Sequence, residues 1–191
     1  MPEARVCPWW IGRLLASPVR RIFNNPVKLL APYVREGMTV LEPGPGMGFF
    51  TLDLARLAGP SGRVVAVDIQ PKMLAGLQRR AREAGLAERI DARLAQPGSL
   101  ALAGLDGSVD FALAFAMVHE LPDAPAFFAE IFQALKPGAC LLLVEPAGHV
   151  NAARFETELA QAASAGLQVD RATLRRNRAL LKKPLRLPRY P

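Results

Sequence analysis

Cysteine is scarce. The 191-residue chain has two, Cys7 and Cys140. Two thiols so far apart make neither a disulfide framework nor a four-ligand zinc site, and Cys140 sits in an apolar run that reads as core. The default setting is therefore reducing, and a cytoplasmic location is expected. Long apolar runs are missing too. The longest, 111–118, has 8 residues, against the ~20 that a membrane-spanning helix needs. Pro8, Arg13 and Pro18 interrupt the opening residues, so no secretory leader is expected. Histidine occurs twice, at 119 and 149, so any imidazole chemistry rests on those positions. No Gly-Lys-Ser/Thr follows a glycine run, which excludes a Walker phosphate loop. What is present suits one globular domain: 51% hydrophobic and 21% charged residues leave too much apolar surface for a disordered chain.

Charge is unevenly spread. Residues 1–36 carry a net +4 and residues 171–191 hold eight basic side chains and no acidic ones, while 37–170 carries a net −5. Basic ends fit a nucleic acid, an anionic lipid surface or an acidic substrate, and equally a solvated strand and tail with no partner. Nucleic acid and peripheral membrane contact therefore stay open as partners, behind a small molecule.

Two regions follow from the patterning. In 1–36, Trp9, Trp10, Ile11, Leu14, Leu15, Val19, Ile22 and Phe23 fit a broken amphipathic helix opposite Arg13, Arg20 and Arg21. Asn25-Pro26 then starts a short helix running to about residue 34. From 37 to 191 strands and helices alternate. Strands are expected at 39–42, 63–68, 90–94, 109–116 and 139–145, helices at 49–57, 71–84, 124–135 and 151–165, and a last strand pair at 167–171 and 177–181. Near-continuous apolar strands separated by helices predict a doubly wound α/β sheet, parallel and buried on both faces, with ligands beyond the carboxyl ends of its strands.

The strongest constellation lies between the first strand and its helix: Glu42, Gly44, Gly46 and Gly48, in the run Glu-Pro-Gly-Pro-Gly-Met-Gly-Phe. Glycines let backbone approach a ligand where a Cβ would collide. Twenty residues after Gly48, at the end of the second strand, stands Asp68, placed to accept hydrogen bonds from both hydroxyls of a ribose. A dinucleotide fingerprint would need glycine at 49, where this chain has Phe.

These motifs resemble the class I S-adenosylmethionine-dependent methyltransferases over residues 38–182. Glu42–Gly48 resembles the family's acid-x-Gly-x-Gly-x-Gly loop, 64–68 its second motif, 106–111 the approach to its fourth strand, and Leu135-Lys136-Pro137-Gly138 the turn before its fifth. The resemblance implies a seven-stranded, mostly parallel sheet in the order 3-2-1-4-5-7-6 with helices on both faces, an N-terminal helical lid over 1–36 and a cofactor domain over 37–191. It implies S-adenosylmethionine as cofactor, S-adenosylhomocysteine as product, and no metal. It implies that Glu42 helps hold the methionine ammonium, that Asp68 holds the ribose, that Ile69 packs on the adenine and that Ala114 offers its backbone carbonyl to the ammonium. Gln96 stands where the family usually has an Asp for the adenine amino group.

Methyl transfer from a sulfonium is an in-line displacement, so a protein mainly positions the reactants and excludes water. A general base is needed only for an acceptor that is still protonated. His119, after the fourth strand, is the candidate base. His149 and Glu145, after the fifth, are candidate substrate contacts, and Glu120 could orient His119. Each has a structural alternative as a hydrogen bonder or turn cap. Trp10, with Trp9 and Phe23, could close over the acceptor, or pack on the sheet edge, or lie on a membrane surface. The segment 114–117 lacks the Asn/Asp-Pro-Pro-aromatic motif of base-amine methylation, and no cysteine stands at a strand end for pyrimidine C5 chemistry. A small apolar or aromatic acceptor is expected. An RNA or protein acceptor, and a SAM-binding protein without turnover, are the alternatives.

Overall fold

The computed structural model describes residues 25–96 and 98–185. The expected lid helix, with Trp9, Trp10, Phe23 and Cys7, and the end of the basic tail lie outside them. Helix α1 (Pro26–Leu30) starts on an Asn25 carboxamide that accepts from Lys28 N and is shorter than predicted, giving way to a turn over 31–33. There follow β1 (Thr39–Pro43), α2 (Thr51–Leu57), β2 (Arg63–Asp68), α3 (Pro71–Glu83), β3 (Ile90–Leu94), β4 (Val109–Phe115), α4 (Ala124–Ala134), β5 (Leu135–Val144), α5 (Ala152–Ser164), β6 (Gln168–Val169) and β7 (Arg178–Lys182). The seven strands run in the order β3-β2-β1-β4-β5-β7-β6, the order that the resemblance implied. The chain divides into two compact units after Ala101, within the predicted 37–191 domain.

The first unit holds β1, β2 and β3, all parallel, with Val40 opposite Val64 and Ala66 opposite Ala92. Val40, Leu41, Val64, Val65 and Ala66 are fully buried, as are Leu54 of α2 and Leu77 of α3. Each large apolar side chain taken out of water contributes about 1.5–3 kcal/mol. A buried strand in a parallel sheet has no polar face, which is why β2 shows no alternation.

In the second unit β4 and β5 are parallel, and β7 runs antiparallel to both β5 and β6. The Lys136-Pro137-Gly138 segment, predicted as a turn ahead of the strand, is instead part of β5. Two bonds tie it to the chain just past β7: Gly138 N donates to Lys183 O, and Lys183 N donates to Ala139 O. The register against β4 shifts there, between Val109 and Phe111, as a bulge requires. The Lys183 ammonium donates to Phe132 O and Leu135 O, at 2.7 and 2.8 Å, taking up carbonyls that the end of α4 leaves without partners.

Helix α4 begins at Asp123, whose carboxylate accepts from Ala126 N at 2.9 Å. Phe127, Phe128 and Ile131 on α4 are buried, so cap and apolar face together fix where the helix starts. Asp123→Ala is expected to cost about 1 kcal/mol, the usual value of an N-cap. Denaturant titration should show a lower midpoint with an unchanged slope.

Candidate functional site

The glycine loop lies between β1 and α2. Gly46 has a φ of +54°, and a Cβ built on it would meet nothing within 4 Å. Its backbone therefore borders open space. Gly48, at φ +83°, is constrained from the other side, since a Cβ there would come within 2.4 Å of Leu77 Cδ1 on α3. That helix also fixes the loop from below. The Arg80 guanidinium donates to Met47 O at 2.5 Å, and Gly76 leaves the room that the Met47 side chain fills. Met47, Phe49 and Phe50 are buried, with the two Phe rings packed edge to face at 4.9 Å.

Asp68 ends β2 with its carboxylate ordered by backbone. Oδ2 accepts from Gly46 N at 3.2 Å and Oδ1 from Gln70 N at 2.8 Å. Ile69, next along, is 46% exposed, and Leu94, opposite Asp68 at the end of β3, is 51% exposed. Two large apolar side chains left in water at adjacent strand ends suit the face of an aromatic base. Leu94 was not among the sequence candidates; an apolar residue closing the third strand was the available signal. Gln96 is exposed, and its backbone exchanges hydrogen bonds with Ser99.

Glu42 is the least comfortable residue of the first unit. It is 3% exposed, and Oε2 has no hydrogen-bond partner among the described residues. Burial pushes its pKa up to about 8. The Thr51 hydroxyl beside it offsets this in part, and the Asp68 charge adds to it. Without a counter-charge the carboxyl holds its proton near neutrality; a cation delivered to Oε2 reverses that preference. The orphaned oxygen, the open Gly46 backbone, the acceptors on Asp68 and the apolar pair fit the ammonium, ribose and adenine of S-adenosylmethionine.

In the second unit Ala114 is fully buried inside β4, paired with Leu143. Two residues on, Ala116 has a φ of +54°, a left-handed conformation unusual for a residue with a Cβ. It turns the chain out of the sheet into a single 3-10 turn over Val118–Glu120, which carries His119. Glu145, one residue past β5 and 1% exposed, holds that turn. Its Oε1 accepts from Val118 N at 2.9 Å and His119 N at 3.4 Å, and Oε2 lies 2.5 Å from His119 Nδ1. Asn177, just before β7, bonds Glu145 through both its backbone carbonyl and its carboxamide. The His149 ring meets His119 edge on, 5.7 Å between centroids, and Arg154 of α5 donates to His119 O at 2.5 Å.

The structure thus brings His119, Glu145 and His149 together, while Trp10 lies outside the described residues. It assigns the orienting contact to Glu145. Glu120, which could have oriented His119 or capped the next segment, reaches to 4.0 Å from Nε2. Sequence reasoning also missed Glu158 of α5, 4% exposed with both carboxyl oxygens unbonded and 4.0 Å from Arg154.

Burial, the dominant cause in each case, raises Glu145 and Glu158 to about 7 and lowers His119. Backbone bonds from Val118 and His119 pull Glu145 partway back, and the charge of Glu145 raises Glu158 further. For the three carboxyls the folded state binds protons that the unfolded chain has released, so stability falls as pH rises from about 4.5 to 8. Lowered His119 acts oppositely, but only below its ordinary value of 6.5. The ligand-free protein should lose several kcal/mol of stability, on the order of 1.4 per unit of pKa shift, between pH 5 and 8, read as a falling urea midpoint. Glu42→Gln should remove part of that slope and leave the protein more stable than wild type at pH 8.

Comparison with known proteins agrees with this geometry. A family model described as a methyltransferase domain matches residues 40–138. The ubiquinone/menaquinone biosynthesis C-methyltransferase UbiE of Pasteurella multocida is 32% identical over 112 residues, 59% of this chain and 41% of that protein. The arsenite methyltransferase of Halobacterium salinarum is 32% identical over 102 residues, 53% of this chain and 25% of that protein. The chain spans less than half the length of these curated relatives. The crystal structure of a SAM-dependent methyltransferase from Aquifex aeolicus superposes with a TM-score of 0.82 at 25% identity, covering 93% of this chain and 100% of that one. A match running from β1 into β5, with this strand order and the glycine loop joined to Asp68, places the chain in the methyltransferase-domain family, as a class I member that uses S-adenosylmethionine.

Proposed function

We propose that this chain transfers a methyl group from S-adenosylmethionine to a small, apolar or aromatic acceptor by in-line displacement. The observation that carries the reading is the buried Glu42 carboxyl, its Oε2 unbonded among the described residues, at the start of a glycine loop where a Cβ on Gly46 would meet nothing within 4 Å. An uncompensated carboxyl in such a place suits a ligand that brings its own positive charge.

When bound, S-adenosylmethionine supplies a methyl group on a sulfonium, an excellent leaving group. The chain's own residues then bind and orient. Glu42 would neutralise the ammonium, Asp68 would accept from the ribose hydroxyls while Gly46 N and Gln70 N fix its rotamer, and Ile69 would flank the adenine with Leu94. Ala114 would offer its carbonyl to the ammonium, and Gln96 would stand near the adenine edge. His119, Glu145, His149 and, beyond the described residues, Trp10 remain the acceptor-side candidates.

The relatives' names point to two acceptor chemistries, a ring of the quinone pathway and arsenite. Arsenite is thiophilic, and the cysteine among the described residues, Cys140, has its thiol pushed up to about 11 by burial. That makes it a poor thiolate and favours the organic ring. No group of three metal-ligating side chains occurs among the described residues, and none of their helices is long and apolar enough to cross a membrane.

Titration calorimetry is the direct test. The chain should bind S-adenosylmethionine, and Asp68→Ala should weaken binding by about 100-fold or more, the value of two hydrogen bonds to a charged acceptor. Binding of NAD with no heat from S-adenosylmethionine would overturn the reading.

A further inference from the structure

We infer that the turn over 175–178 recognises an anionic group, and that the acceptor carries a carboxylate or a phosphate on its apolar or aromatic body. This deepens the methyltransferase reading and rests on it.

Backbone places the turn. Arg175 N donates to Arg178 O at 2.8 Å and Arg178 N to Arg175 O at 3.4 Å, so the chain reverses over Arg176 and Asn177. Asn177 ties the reversal to the end of β5: Glu145 N donates to Asn177 O, and the Asn177 carboxamide donates to Glu145 O. Arg178 opens β7 opposite Val144, the last residue of β5. The Arg175 guanidinium folds back on Ala172 O and Leu174 O, at 3.4 and 2.8 Å, and braces the loop from within. Ligands of a doubly wound sheet gather beyond the carboxyl ends of its parallel strands. β5 ends at this turn, and the Glu145 side chain just past it holds His119.

Positive charge collects there without an answer. Residues 171–191 contain no acid. Asp170, just before them, is spent on Lys182 at 2.7 Å, farther down the sheet opposite Cys140. Lys183 is spent on two carbonyls. The side chains of Arg171, Arg176 and Arg178, by contrast, form no hydrogen bond or ion pair among the described residues. Arg171 and Arg176 are exposed and Arg178 is half-buried. The lysines of β7 and its end are thus neutralised or bonded, while the arginines toward the carboxyl end of β5 are left open. A guanidinium is a planar fork of donors that matches the paired oxygens of a carboxylate or phosphate.

The footprint decides between ligands. Arg176 and Arg178 stand two positions apart, about 7 Å along an extended chain. That is the reach of one oxyanion group, whereas nucleic acid is held by cations set against a row of phosphates. Residues 37–170 carry a net −5, which repels a polyanion or an anionic bilayer laid against the body of the protein. A single charged group on a small molecule meets the turn and avoids that repulsion.

Titration calorimetry on the full chain saturated with S-adenosylhomocysteine tests this with three probes: 3-phenylpropionate, phenyl phosphate and the neutral 3-phenylpropanamide. At least one of the two acids should bind about 10-fold or more tighter than the amide, the value of one hydrogen bond between charged groups, and the preference should shrink as salt is raised. The tighter acid tells carboxylate from phosphate. Arg176→Gln and Arg178→Gln should each remove most of the preference while the affinity for the amide and for S-adenosylhomocysteine stays within a few fold, the latter reporting an intact fold. Arg176→Lys should keep part of the preference, since it keeps the charge and loses the fork. Equal affinity for acids and amide, no binding of either acid, or binding of a short single-stranded RNA or of phosphatidylglycerol vesicles in place of the acids would overturn the anion site and leave the cofactor reading standing. A wild type that binds no S-adenosylhomocysteine would overturn both.

Discussion

A carboxyl group kept from water without a counter-ion is the constraint on which this structure turns. Desolvating a carboxylate is expensive enough that the group takes up a proton instead. Glu42 does so beside the glycine loop, with an oxygen that no neighbour among the described residues satisfies. A fold that needed only stability would place an apolar side chain there. Retaining the acid makes sense if the missing partner is a ligand, and the charge that completes the site then arrives with it.

The same chemistry recurs in the second unit with a different outcome. Glu145 is as enclosed as Glu42, yet both its oxygens are used, on two backbone amides and an imidazole. One buried acid is left unfinished and the other is fully committed to a histidine. The first arrangement suits capture of a cation. The second suits a side chain that must present one nitrogen in one orientation.

Much of this was legible in the sequence where the demand is local. The glycine loop shows because positive φ and open or crowded Cβ positions call for a residue without a side chain, and Asp68 shows because it follows an apolar strand at a fixed distance. The strand order followed from the motifs rather than from any single strand. What the sequence hid is non-local. His119 and Glu145 lie 26 positions apart, whereas Glu120, the neighbour in sequence, comes only to 4.0 Å from Nε2. Arg80 reaches Met47 across 33 positions. The inclusion of Pro137 in β5 is non-local as well, since Pro-Gly ordinarily marks a turn and here two bonds to Lys183 tie the segment to the sheet.

The grip of α3 on the glycine loop has an evolutionary and engineering consequence. Leu77 fills the space above Gly48, Gly76 admits Met47, and Arg80 pins its carbonyl. The loop is therefore shaped by a helix that lies beyond the following strand. Grafting residues 42–48 alone onto another scaffold would carry the letters of the motif without the mould that forms them; the transferable module is the stretch from β1 through α3, and drift at any of those helix positions is confined to changes that the loop can answer.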